Sequence, residues 1–223
     1  NIVQGWTPDG KKIIYRANRI GQDERLGRPF TVPAAGGLEE PMRIPESGSA
    51  DISPDGAKMA FTPIAREFRT WKRHRGGRTP DVWIYDFKAD SSERIAASPA
   101  IDFHPVWLGD TIYFLSDRER VQNLWAYDVA SKAVRKVTKH DDWDALWPSG
   151  GPGGIVYEAG GWIWRYDPAT DKSNKVTIRV QGDFPLTVPH LANVAENIEG
   201  GVPSPSGKRA LLVARGGLWA IPP

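Results

Sequence analysis

Five times along the chain a short turn, a brief apolar run and an aromatic-bearing strand recur in the same order. The turns read Thr7-Pro8-Asp9-Gly10, Ser53-Pro54-Asp55-Gly56, Leu108-Gly109-Asp110, Gly151-Pro152-Gly153-Gly154 and Ser204-Pro205-Ser206-Gly207. The runs after them are Ile13-Ile14-Tyr15, Met59-Ala60-Phe61, Ile112-Tyr113-Phe114, Ile155-Val156-Tyr157 and Ala210-Leu211-Leu212-Val213. Downstream of each comes a strand with an aromatic at a fixed place: Phe30, Trp83, Trp125, Trp164 and Trp219. A period of roughly 40 to 55 residues is that of propeller blades, well beyond a leucine-rich or ankyrin unit. The repeat predicts an all-β fold, a β-propeller of four-stranded antiparallel blades. Five units are present, the last without its outer strand.

Each unit reads as four strands. Residues before the turn, such as Val3 to Trp6 or Ser49 to Ile52, form a short inner strand. In the turn, proline presets φ at about −65°, aspartate bonds back to the backbone, and glycine accepts positive φ. The third strand reads Asp81-Val82-Trp83-Ile84-Tyr85-Asp86, Asn123-Leu124-Trp125-Ala126-Tyr127-Asp128 and Trp162-Ile163-Trp164-Arg165-Tyr166-Asp167. Alternation puts Trp83 and Tyr85 on one face and Val82 and Ile84 on the other. Apolar residues on both faces suit a sheet held between two other sheets, so each blade needs its neighbours. A more polar fourth strand closes the unit at Pro41 to Ile44, Ser92 to Ile95, Val134 to Thr138 and Lys175 to Ile178. Its polarity protects an exposed edge from pairing with other chains. An open meander or sandwich is the competing fold. The recurrence of four features in one order argues against it.

The 19 prolines and 23 glycines among 223 residues suit many turns rather than long helices. Most of the ten tryptophans fall at repeat-equivalent strand positions, which reads as core packing. A formal charge of +2 is too small to imply nucleic acid by itself. With no cysteine there is neither a disulfide framework nor thiol chemistry, which fits cytoplasm or periplasm and leaves the compartment undecided. No run of about 18 apolar residues is present, so no membrane partner is expected.

The opening Asn1-Ile2-Val3-Gln4-Gly5-Trp6 starts inside a strand pattern and looks like the middle of a longer protein. The last unit stops after Leu218-Trp219-Ala220-Ile221, before a fourth strand. Gln181 to Asn197 is longer than the other connections and holds Pro185 and Pro189. The expected organisation is therefore four blades over residues 1–180, divided at about 48, 101 and 144. A junction over 181–197 and the first three strands of a further blade over 198–223 complete it.

No catalytic residue is expected in this segment. There is no Gly-x-Ser-x-Gly elbow and no His-Glu-x-x-His zinc helix. His74, His104, His140 and His190 sit in four different repeat contexts and read as loop or packing residues. His140-Asp141-Asp142-Trp143-Asp144 lacks the spacing of a calcium loop. Ser149 to Gly154 is glycine-rich but sits where a blade turn belongs and lacks the Lys-Ser/Thr of a phosphate loop. No cofactor or metal is therefore expected. A propeller enzyme would gather acids and histidines from several blades at the channel mouth, and no such convergence is evident in the sequence.

The strongest functional candidate joins the second and third strands of its blade: Arg66, Arg69, Trp71, Lys72, Arg73, His74, Arg75 and Arg78. Such a cluster can guide peptides, or their carboxylate ends, by electrostatic attraction and bidentate pairing. It can equally dock on another domain or subunit. Aromatic stacking with arginine–phosphate contacts would make it a nucleic-acid site, the least favoured of the three.

Trp71-Lys72-Arg73-His74-Arg75-Gly76-Gly77-Arg78-Thr79, followed by Asp81 to Asp86, resembles a signature in the propeller region of tricorn-type serine peptidases. Ile112-Tyr113-Phe114-Leu115-Ser116-Asp117-Arg118 and Ile155-Val156-Tyr157-Glu158 resemble the next two blades of the same family. The isolated Pro-Asp-Gly units are shared with TolB-like propellers generally. The resemblance implies a six-bladed propeller, a seven-bladed one, a PDZ-like domain and a peptidase core, in that order. It would place residues 1–180 in the later blades of the first propeller and residues from 198 onward in the opening blade of the second. The nucleophile and its partners would lie in the core, outside this sequence. By that resemblance the chain would wall and filter peptide access to a protease core elsewhere in the polypeptide. Its partners would be the remaining domains, peptide substrates and sister subunits of a homo-oligomer, a hexamer by family resemblance. The alternative is a stand-alone TolB-like propeller acting as a protein-binding module.

Overall fold

The computed structural model describes residues 1–19, 27–65 and 72–222, in which regular structure is strand apart from two short 3-10 turns at Pro185–Thr187 and Ala195–Asn197. The turns close as their chemistry dictates. Thr7 Oγ1 donates to Asp9 at 2.6 Å, Asp9 accepts the Lys11 N–H, and Gly10 takes φ 68° while its N–H reaches the Thr7 carbonyl. Ser53, Asp55, Ala57 and Gly56 repeat the same bonds, with φ 72° at the glycine.

The chain divides into two compact units, Asn1–Thr177 and Ile178–Pro223. The first holds four four-stranded antiparallel sheets, each a blade. Blade 1 is β1 (Ile2–Trp6), β2 (Lys12–Ala17), β3 (Arg28–Pro33) and β4 (Glu40–Pro41). Blade 2 is β5 (Ala50–Ile52), β6 (Lys58–Phe61), β7 (Trp83–Asp86) and β8 (Ser91–Arg94). Blade 3 is β9 (Asp102–Leu108), β10 (Thr111–Ser116), β11 (Asn123–Asp128) and β12 (Val134–Lys136). Blade 4 is β13 (Leu146–Gly151), β14 (Gly154–Ala159), β15 (Trp162–Asp167) and β16 (Lys172–Lys175). The first strands of successive blades touch, β1 to β5, β5 to β9 and β9 to β13, so they form the inner wall.

Alternation along the middle strands sends residues to two different cores. Blades 1 and 2 enclose Ile14, Ile44, Met59, Phe61 and Tyr85. The opposite face of blade 2 carries Ala60, Val82 and Ile84 against Ile112, Phe114, Trp125 and Tyr127 of blade 3. The other face of blade 3 sets Tyr113, Leu115, Leu124 and Ala126 against Ile155, Tyr157, Ala159 and Tyr166 of blade 4. The expected split of Tyr85 from Val82 and Ile84 is therefore observed, and it follows from period 2 with both faces dry. A charged staple crosses between blades 2 and 3. Arg118 donates to buried Asp102 at 2.9 Å and to the Ala96 carbonyl at 3.0 Å, and its guanidinium lies 4.7 Å from the Trp125 ring centroid.

Two expectations shift in detail. The fourth strand of blade 4 is Lys172–Lys175 rather than Lys175 to Ile178. Asp167 bonds the Ala169 N–H and Asp171 turns with φ 53°, so the chain re-enters the ladder at once, with Lys172 opposite Asp167. The tryptophans are also less uniformly core residues than their positions suggest. Trp107 and Trp125 are buried and Trp83 and Trp164 half-buried, but Trp6, Trp143, Trp147, Trp162 and Trp219 are exposed. Two of these belong to the inner wall, where a side chain faces open space instead of a second sheet.

The second unit carries a three-stranded antiparallel sheet of β17 (Ile198–Pro203), β18 (Ala210–Ala214) and β19 (Gly217–Ile221). Its register pairs Leu212 with Trp219 and Val213 with Leu218, giving apolar residues on both faces as in the other blades.

Candidate functional site

Of the basic insert, Arg66, Arg69 and Trp71 lie outside the described residues. The rest of it runs along blade 3. Lys72 Nζ is 2.5 Å from the Asp144 carboxylate, and Arg73 Nε donates to the Arg120 carbonyl at 3.2 Å. The Arg75 guanidinium is 3.1 Å from Asp117, whose carboxylate also accepts the Ile101 N–H at 2.9 Å. Arg73 is held at φ 57°, and Thr79 closes the following turn by accepting the Gly76 N–H at 3.0 Å. His74 is half-buried and Arg78 exposed. Three cations of the insert thus meet blade 3 or the connection behind it, and because the Lys72 and Arg75 side chains are themselves exposed, each ion pair is modest in energy.

His140 is a packing group. Its Nε2 is 2.9 Å from the Tyr157 hydroxyl, which lies 2.5 Å from Ser173 Oγ, and the Trp164 ring packs edge-on at 4.9 Å. Burial lowers its pKa, so the neutral imidazole is favoured. Asp144 accepts the Gln122 N–H at 3.0 Å. Among the described residues no three His, Cys, Asp or Glu side chains gather to hold a metal. The glycine-rich run is the β13–β14 hairpin, and at Gly154, with φ 116°, a Cβ would sit 2.2 Å from the Tyr166 carbonyl oxygen.

The residues the sequence reading missed converge on the inner wall. A cleft of about 490 Å³ is lined by β1, β5, β9 and β13, one strand from each blade. Three of those strands carry a β-bulge. The register breaks at Gln4, at His104-Pro105 opposite Phe114, and at Trp147-Pro148 opposite Tyr157. His104 takes φ 51° and Trp147 φ 50°, a region uncommon for non-glycine residues. All of these bulged residues line the cleft. The His104 and Trp147 rings meet edge to face at 5.4 Å, and the His104 N–H donates to Ser49 Oγ at 3.1 Å. Bulges re-aim side chains, and a proline inside an inner-strand pattern was the available signal for them.

Asp51 lines the same cleft from β5. Its carboxylate accepts the Trp107 N–H at 2.8 Å and the Ile52 N–H at 2.9 Å. Burial pushes its pKa up to about 6, against the pull of those two donors. An acid and a histidine from different blades therefore do share one opening, contrary to the impression left by the sequence.

The comparisons agree with this architecture. Residues 1–172 match the tricorn protease N-terminal beta propeller domain. The tricorn protease homolog of Saccharolobus solfataricus is 29% identical over 163 residues, 72% of this chain and 15% of that protein. Tricorn protease homolog 1 of Streptomyces coelicolor is 26% identical over 221 residues, 97% of this chain and 20% of that protein. The crystal structure of the tricorn protease shares the fold at a TM-score of 0.71 and 22% identity, covering 98% of this chain and 21% of that one. The chain thus spans a fifth or less of the length of the relatives it matches. With 172 of its 223 residues matched, the chain belongs to the tricorn protease N-terminal β-propeller family.

Proposed function

We propose that this chain is a non-catalytic propeller region of a larger tricorn-type serine peptidase. In this reading it walls and filters the access of peptides to a protease core elsewhere in the polypeptide. Residues 1–177 would be later blades of one propeller, and the three-stranded sheet the opening blade of the next. The observation that carries the proposal is the cleft on the inner wall. It is bounded by one strand from each of four blades, and it is large enough, at about 490 Å³, for several residues of an extended peptide. The family match over most of the chain favours this over a TolB-like binding module that acts alone.

Val3 and Ser149 line the cleft, both with exposed side chains, and offer a test that leaves the insert untouched. In the full-length enzyme, Val3→Trp with Ser149→Trp narrows the opening. Cleavage of peptides longer than about ten residues should slow several-fold, while a short chromogenic substrate is turned over as before. Unchanged kinetics for both lengths refutes the filter.

Beside peptide guidance, docking on another domain or subunit and nucleic-acid binding, the Arg75–Asp117 and Lys72–Asp144 pairs support a further reading of the insert, a brace of blade 2 on blade 3. Arg73→Glu with Arg75→Glu separates the brace from the peptide path. A lower unfolding midpoint with unchanged cleavage marks a brace. Slower cleavage of long peptides at unchanged stability marks a peptide path.

A further inference from the structure

We infer that the inner edge of β13 clasps the main chain of an extended peptide at Gly150, whose N–H and C=O face the cleft together as one donor–acceptor pair. The inference rests on the peptide-path reading only for the kind of ligand, a polypeptide rather than another amide.

Each inner strand pairs with a strand of its own blade on one side only, so the groups on its other edge need partners from elsewhere. In an antiparallel ladder, alternate residues turn both N–H and C=O away from the neighbouring strand. The hairpins fix which residues these are. Ile52 opposite Met59, Trp107 opposite Ile112 and Gly150 opposite Ile155 hold one equivalent place, each a single residue before the pair that closes its turn. One carboxylate caps the first two. Asp51 accepts the Ile52 N–H at 2.9 Å and, across the blade boundary, the Trp107 N–H at 2.8 Å. On β9 the residue at the register of Asp51 is Val106, which has no acceptor to offer. It reaches the equivalent spot all the same, since its Cγ1 lies 2.5 Å from where a Cβ on Gly150 would be. Among the described residues, the outward N–H and C=O of Gly150 therefore have no protein partner.

The surroundings suit a peptide backbone. Gly150 lines the cleft and is exposed. Without a side chain it lets a second main chain approach closely, which is one use of glycine within a strand. Pro148, two residues earlier, has no N–H, so a full ladder cannot run along β13 and the edge offers one residue's pair of bonds. Such an edge is blunted against pairing with whole sheets, yet it keeps a single grip. Main-chain bonds read no side chain, so the clasp accepts any sequence that is extended. Each bond replaces one to water and is worth roughly fivefold in affinity. A grip that weak holds a chain against the wall and then releases it, as passage requires.

The test is titration of the full chain, its glycine amides labelled with heavy nitrogen, with acetyl-hexathreonine amide, an uncharged peptide that favours extended backbone. The Gly150 resonance is identified by its absence from a Gly150→Ala, Val106→Ala variant. In the parent it should shift in step with occupancy, and its hydrogen exchange should slow several-fold at saturation. The fully N-methylated peptide has no N–H to donate and should bind at least about fivefold more weakly. Two variants isolate the Gly150 N–H, both carrying Val106→Ala to make room for a Cβ at position 150. With Gly150→Ala the peptide should bind as it does to Val106→Ala alone. With Gly150→Pro it should bind at least about fivefold more weakly. Should the proline variant fail to fold, Val106→Asp copies the Asp51 carboxylate onto β9, and by capping the Gly150 N–H it should weaken binding to the same extent. A Gly150 resonance that stays in place while the peptide binds elsewhere overturns the inference. So does an absence of binding at tens of millimolar peptide, or equal affinity with and without the N–H. Failure here leaves the filter reading intact, because that is judged by cleavage kinetics of the narrowed cleft. Length-independent cleavage after narrowing, with the Gly150 shift present in the parent chain, would fail the filter alone.

Discussion

Replacing Asp51 by asparagine removes a carboxylate that burial has pushed from the usual 3.8 to about 6. In the folded chain this group holds its proton between about pH 4 and pH 6, whereas in the unfolded chain it does not. The unfolded state binds fewer protons there, so Asp51 makes stability fall as pH rises through that window. Its favourable contribution is complete below about pH 4 and gone above about pH 6. A shift of about two units corresponds to roughly 3 kcal/mol, and the solvent in the adjoining cleft trims this to the order of 1–3 kcal/mol. Asparagine keeps the shape but can accept only one of the Trp107 and Ile52 N–H bonds well. That adds a pH-independent penalty of about 1 kcal/mol. Urea unfolding of the two proteins at half-unit steps from pH 4 to 8 isolates the term, since every other titrating group cancels in the difference. The variant should be the less stable at pH 4 and gain on the parent by 1–3 kcal/mol by pH 7. A difference that stays flat across this range, or slopes the other way, refutes the assignment of a desolvated carboxylate at the inner wall.

Asp102→Ala leaves the Arg118 guanidinium against Trp125 without its charge partner. Removing one member of a buried pair costs about 3–5 kcal/mol, read as a lower urea midpoint. Asp102→Ala with Arg118→Met should cost less than the two single changes added together. Phe114 is fully buried between blades 2 and 3, so Phe114→Ala should cost about 3–5 kcal/mol by the same assay, and a loss under 1 kcal/mol would contradict its place in that core.

The architecture was legible because blade chemistry is local. Thr7-Pro8-Asp9-Gly10 and Ser53-Pro54-Asp55-Gly56 form the bonds their side chains encode, and alternation in Val82-Trp83-Ile84-Tyr85 assigns each residue to its core. Strand ends were less legible, as at Lys172, because one left-handed residue decides where a ladder resumes. The cleft was the least legible part. Gln4, Asp51, His104 and Trp147 are brought together by the stacking of blades, across long stretches of intervening chain. Three of them owe their placement to bulges that shift the alternation by one residue. The insert shows a related limit. Its charge was plain in the sequence, but its partners Asp117 and Asp144 belong to turns that only the folded chain sets beside it.

The middle strands have a consequence for mutational tolerance. Along β10, Ile112 and Phe114 point to one neighbour while Tyr113 and Leu115 point to the other, and all four are shielded from solvent. Such a strand offers no lenient register: where a half-wetted sheet accepts polar substitutions at every second residue, this one should reject them at consecutive sites. Permissiveness in a saturation library would then grade radially, with continuous forbidden blocks at β6 and β10 giving way to free variation at β8 and β16 on the rim, while β14, buried at Ile155, Tyr157 and Ala159 but exposed at Val156 and Glu158, should tolerate polar residues at alternate sites.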